Sequence, residues 1–188
     1  RDLLAKGYSW REIRFLFISS HYRDEQNFTF EALNAAKSSV ERIRNFLHAL
    51  KNVREGKHSK EFTKLLKQAK KEFLKALADD FNMPKALASM FNFINETNKL
   101  IADKMLTKRD ANNAIELMLF FDKILGLKLD EFLKEEELPE EAKKLIEERE
   151  ELRKEGRFEE ADRIREKLKN EYGILLEDTK EGTIWKKI

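Results

Sequence analysis

The sequence contains no cysteine, so disulfides, thiolate metal sites and a thiol nucleophile are all excluded within these 188 residues. Only two prolines and six glycines punctuate it, which predicts long uninterrupted helices rather than a turn-rich β fold. No apolar run approaches the roughly 20 residues that span a bilayer, and no signal peptide opens the chain. These features read as a soluble, cytoplasmic protein with no membrane partner. The three histidines, His21, His48 and His58, fall in separate segments without metal-ligand spacing.

Charge is what the sequence has in excess. Charged residues make up 39% of it, against a usual quarter, yet the net charge is only +2. The balance is uneven. Residues 1–125 hold 23 Lys and Arg against 16 Asp and Glu, residues 126–138 hold 2 against 5, and residues 139–188 hold 13 against 15. A basic body followed by an acidic stretch suits a polyanionic partner held mainly by the body.

Periodicity organises the body. Ser9 with Glu12 has the spacing of a capping box, and the dense run Ile13, Phe15, Leu16, Phe17, Ile18 predicts a buried helix. A long helix from about Thr29 to Arg54 carries the stripe Leu33, Ala36, Val40, Ile43, Leu47, Leu50. The next spans Lys60 to Ala78, with Phe62, Leu66, Ala69, Phe73 and Leu77 inward. Residues 79–84 read as a stop and restart in which Asp79, Asp80 or Asn82 acts as a cap and Pro84 sits in the new first turn. That helix carries Leu87, Met90 or Phe91, Ile94 and Ile101. Thr107 caps another, with Ile115, Met118, Phe121 and Leu125 inward and Gly126 as its stop. Long periodic segments on short connections predict an antiparallel bundle over 1–125. Residues 126–138 are acidic and poorly periodic and read as a linker. From Pro139 two helices follow, separated near Gly156 and stopped by Gly173. A hairpin then runs through Ile174–Glu177 and Thr183–Trp185 with Gly182 in its turn. Residues 139–188 thus form a small second module. Trp185 is read as its packed aromatic.

Several residues admit two readings. Lys60, Lys64, Lys67, Lys71 and Lys75 recur at steps of four, three, four and four, opposite the inner face of their helix. They form either a track for phosphates or a solvated surface. Phe158 either stacks on an unstacked base or plugs the gap between the last two helices. Arg153 and Asp162, read from the residues alone, suit a surface ion pair between neighbouring helices. No partner carboxylate or nucleophile is identifiable for His21, so it is not read as a catalytic base. The bland readings of its neighbours are core packing for Tyr22 and surface for Arg23.

Three stretches taken together carry a resemblance. The first is Arg1-Asp2-Leu3-Leu4, Ile13-Arg14-Phe15 and Ser20-His21-Tyr22-Arg23, then Asn27-Phe28. The second is Phe73 to Leu77 followed by Asp79 to Leu87. The third includes Arg149, Arg153, Phe158, Ala161-Asp162, Ile164-Arg165, Gly173-Ile174, Leu176-Glu177-Asp178, Gly182-Thr183 and Trp185. In this order they resemble the C-terminal half of cysteinyl-tRNA synthetases, which are class I aminoacyl-tRNA synthetases. Leu152, Gly156 and Arg157 depart from the usual pattern of that family.

The resemblance implies a DALR-type helical bundle, a mainly α chain, and an anticodon-binding module at 139–188. It implies tRNA(Cys) as partner and a junction with the chain's own catalytic domain, whose HIGH and KMSKS motifs do not occur here. ATP and zinc are expected in that catalytic domain, not in these residues, and these residues alone are expected to be inactive. The cysteine anticodon begins with guanine. Its N1–H and N2 amine donate side by side to a carboxylate, and its O6 and N7 accept from an arginine fork. The resemblance maps these roles onto Arg153, Asp162 and Asp178. The alternative function is a non-catalytic helical protein-interaction module, supported by exposed charge and by the stripe from Leu33 to Leu50. A tRNA-independent amino-acid ligase is a third reading, opposed by the family-like hairpin.

Overall fold

A computed structural model of the chain describes the backbone at position 3 and over residues 6–134, 139–179 and 182–187. Side chains are described for these residues except 154, 177–179 and 182–187. Helix α1, Trp10–Ile18, opens at Ser9, whose backbone N–H donates to the Glu12 carboxylate at 2.7 Å. The expectation that its apolar run is buried holds for Phe15 and Leu16 but fails for Phe17, which is 59% exposed. At about 3.6 residues per turn a helix cannot turn three successive side chains inward.

Helix α2, Phe30–Asn52, is capped by the Thr29 hydroxyl, which accepts from the Ala32 N–H. Its stripe from Leu33 to Leu50 is buried throughout, joined by Phe46. Helix α3, Lys60–Ala78, buries Phe62, Ala69, Phe73 and Ala76. The turn to helix α4, Met83–Ala102, bends through two left-handed residues, Asp80 (φ 52°) and Phe81 (φ 49°). Asn82 supplies the cap, accepting from the Lys85 N–H at 3.1 Å. Helix α5, Lys108–Leu125, starts with a capping box between Thr107 and Asp110 and ends at Gly126. Gly126 has φ 63°, a conformation that costs side-chain-bearing residues about 1 kcal/mol or more.

Helix α2 packs against α1, α4 and α5, and α3 packs against α4 and α5. Aromatic rings knit the interior. Phe46 meets Phe93 edge-on at 6.0 Å between centroids, and Phe73 stacks on Phe121 at 4.1 Å.

The stretch expected as a linker from residue 126 starts differently. Leu127 and Leu129 are fully buried in the bundle core, and a 3-10 helix covers Leu129–Phe132. The Asp122 carboxylate accepts from the N–H groups of Leu127 and Leu129, while Arg11 donates to the Leu127 carbonyl and ion-pairs with Glu131. Two leucines spaced two apart carry no helical period, so the periodic reading passed over them.

The chain divides into two compact units, residues 1–134 and 135–188. In the second, helices α6, Glu140–Lys154, and α7, Phe158–Tyr172, pack together and are followed by strands β1, Ile174–Thr179, and β2, Gly182–Lys187. The strands are antiparallel, with Leu176 opposite Trp185 and Thr179 opposite Gly182. Gly182 therefore opens β2 instead of lying in the turn. Ala142, Leu168, Ile174 and Leu176 form this unit's core. The architecture is mainly α, a helical bundle followed by a helix–helix–hairpin module. Among the described residues no helix is long and apolar enough to cross a membrane.

Candidate nucleic-acid interface

In the second unit, α6 and α7 meet across the loop Glu155–Arg157. Its shape depends on Gly156 (φ 78°) and on the Arg157 N–H donating to the Leu152 carbonyl at 2.9 Å. Arg157 donates through Nε and Nη2 to both carboxylate oxygens of Glu160, at 2.7 and 2.6 Å, and through Nη1 to Glu155 at 3.2 Å. The fork pushes the guanidinium pKa up and holds the Glu160 carboxyl below its usual range. Nothing local in the sequence singled out Arg157. Its clamp follows from the i, i+3 spacing to Glu160, which is a recognisable helix-start pairing once the helix boundary is known.

Phe158, the first residue of α7, is 61% exposed. The plug reading is therefore corrected: the inward positions of α7 belong to Ala161 and Leu168, and the ring faces solvent. Arg153 and Asp162 also have exposed side chains, one in the last turn of α6 and the other early in α7. Arg149, one turn before Arg153, is buried at 1% exposure and belongs to the interior. Asp178 pairs with Thr183 in the hairpin, and its side chain, like that of Trp185, lies outside the described residues.

In the first unit, Lys60, Lys64, Lys67, Lys71 and Lys75 are all exposed along α3, with Phe62, Ala69 and Phe73 on the opposite, buried face. Helix α3 holds six lysines and two glutamates, so the face carries a net positive charge.

The structure also joins two motifs 57 to 59 residues apart. Tyr22 donates its hydroxyl proton to Asp80 at 2.7 Å, Arg23 Nη2 donates to Asp80 at 3.3 Å, and His21 Nε2 lies 3.9 Å from the same carboxylate. Three expectations are corrected here. His21 does have a carboxylate neighbour, and Asp80 is not a helix cap. The side chain that caps α4 is that of Asn82, which sits one residue before its first turn. Nor is Tyr22 core, being 62% exposed. The hydrogen bond to Asp80 raises the Tyr22 phenol pKa, opposed by the bond from Arg23. Among the described residues no three His, Asp or Glu are grouped to hold a metal ion, so nothing there fits zinc.

Comparison with known proteins bears on both units. The family description "DALR domain" matches residues 72–130, and "Cysteinyl-tRNA ligase anticodon binding domain" matches residues 135–185. The cysteine–tRNA ligase of Chlamydia felis is 37% identical over 192 residues, covering all of this chain and 39% of that protein. The corresponding protein of Protochlamydia amoebophila is 35% identical over 188 residues, covering all of this chain and 39% of its own length. That of Leptospira interrogans is 37% identical over 192 residues, covering all of this chain and 40% of its own length. The chain thus spans about two-fifths of the curated relatives it matches. With two domain descriptions in order and similarity along all of this chain to a part of these proteins, the chain belongs to the cysteine–tRNA ligase family, over the region that carries its DALR and anticodon-binding domains.

Proposed function

We propose that the chain recognises tRNA(Cys), reading the anticodon with residues 139–188, as part of a ligase that attaches cysteine to tRNA using ATP in the cytoplasm. The observation that carries this reading is the overlap of the anticodon-binding match with the unit that exposes Arg153, Phe158 and Asp162. In this reading Asp162 and Asp178 are the carboxylates that accept the paired donors of the first anticodon guanine. Arg153 donates to the acceptors on its other edge. Phe158 offers a free ring face on which an unstacked base settles. Lys60, Lys64, Lys67, Lys71 and Lys75 hold phosphates elsewhere on the tRNA. Activation of cysteine, with ATP and zinc, is assigned to the part of such a ligase outside these residues. That part is the second partner of this region.

Equilibrium titration tests the reading with tRNA(Cys) and with a variant whose anticodon guanine is adenine. The natural tRNA should bind more tightly. Asp162→Ala should cost about 5- to 150-fold in affinity, the equivalent of about 1–3 kcal/mol for a bidentate base contact, and should erase the preference. If Asp162→Ala and Asp178→Ala both keep the full preference, guanine is read elsewhere. The protein-interaction alternative loses its main support, because the stripe from Leu33 to Leu50 is buried inside the bundle and offers no docking seam.

A further inference from the structure

The outer lysines do not exhaust the charge of α3. Lys70 lies off their line, with its Nζ 4.5 Å from the centroid of the Phe120 ring on α5. Together with Lys67 of α3 and Lys123 of α5 it lines an open groove between the two helices, and Leu66 and Phe120 supply apolar lining. The groove encloses about 480 Å³, within the range of small-ligand sites of roughly 300–1,000 Å³.

Its charge is poorly compensated. Glu116 is the only acid among the lining residues. Asp122, close by on α5, turns its carboxylate to the backbone of Leu127 and Leu129, and Glu72 of α3 accepts from Gln68. Cations on the rim, apolar surface within and continuity with the exposed lysine stripe through Lys67 together select a ligand that is regularly anionic and partly apolar. A sugar–phosphate backbone has that character. A peptide of acidic side chains offers no ring to lay on Phe120.

We propose that the groove between α3 and α5 takes the backbone of a folded RNA, phosphates on Lys67, Lys70 and Lys123 and a ribose over Phe120 and Leu66. This rests on the tRNA reading above, shares Lys67 with its phosphate track, adds Lys70 and Lys123 apart from the anticodon residues, and carries no sequence preference. Lys70 would leave the ring face as the ribose arrives and keep its charge beside the phosphate.

The test is titration of the chain with tRNA(Cys) at several salt concentrations. Lys70→Gln with Lys123→Gln should weaken binding about 5- to 20-fold at 0.1 M salt and flatten the log–log salt slope by about 1 to 2. The loss should be equal for the natural and the anticodon-altered tRNA. Lys70→Arg with Lys123→Arg should restore the slope, which separates charge from folding. Lys99→Gln, removed from the groove, should change neither quantity. An unchanged slope in the double Gln variant overturns the groove, even where Asp162→Ala abolishes anticodon preference and the broader reading stands. Equal competition by polyglutamate at matched charge would also overturn it, by showing an acidic protein surface as the ligand. Failure of the unsubstituted chain to bind any tRNA would sink both proposals together.

Discussion

Asp110 occupies the third position of α5 with its side chain only 6% exposed, a costly place for a carboxylate unless hydrogen bonds hold it ionised. Burial pushes its pKa up, but the Thr107 hydroxyl, the His58 ring and the Thr107 N–H together outweigh that and leave it lowered. The sign follows from linkage. A depressed carboxyl stabilises the fold above its unfolded pKa, and that stabilisation fades as pH falls through the folded value, below the ordinary 3.8. Asp110→Ala should therefore cost about 1–2 kcal/mol at pH 7, the range for loss of a helix-start side chain. Urea unfolding at pH 7 and pH 3 should show the gap closing in acid. A constant gap would mean that the carboxylate's charge is not what matters. Residues of this kind were half legible. The caps at Ser9, Thr29, Asn82 and Thr107 follow from local chemistry, since each acts within three residues of itself. The partner of Asp110 at position 58, and the meeting of Tyr22 with Asp80, are products of packing. No spacing in the sequence announces them.

At the scale of elements, the periodic stripes carried the reading because a helix that buries one face must repeat its apolar residues at steps of three and four. Helix α3 falls on the expected Lys60–Ala78, and every residue of the α2 stripe is inside. The reading failed where burial does not follow that period, at Leu127 and Leu129, and where an apolar residue faces out, at Phe17. These cases separate by mutation. Phe73 is fully buried and stacked on Phe121, so Phe73→Ala should destabilise the first unit by about 3–5 kcal/mol. Phe17→Ser removes an equally large ring from a site 59% exposed, and should change stability by no more than about 0.5 kcal/mol. Denaturant midpoints for the two variants give the comparison directly. A loss of several kcal/mol for Phe17→Ser would place that ring in a packed environment and contradict its exposure.

For the whole molecule, the order of modules was legible from the acidic run, Pro139 and the change of period near Gly173. The positions proposed to meet guanine were legible only through the resemblance. Their exposure was not, because Arg149 and Arg153 look alike in sequence and only packing puts one inside and the other out. Size makes a further difference between the units. A unit of roughly 50 residues buries a smaller share of its surface than a large domain and has about 3–8 kcal/mol to lose. Its interior rests on few residues, among them Leu168, which is 0% exposed against Ala142, Ile174 and Leu176. Leu168→Ala should cost about 2–5 kcal/mol, most of that total. Hydrogen exchange should then show the amides of α6 and α7 losing protection while those of α2 to α5 keep theirs. In the same variant, preference for the anticodon guanine should vanish, whereas the salt-dependent, sequence-blind part of RNA binding proposed for α3 and α5 should persist. Parallel loss of protection across α2 to α7 would mean that the two units unfold as one, and that anticodon reading and backbone binding cannot be removed separately.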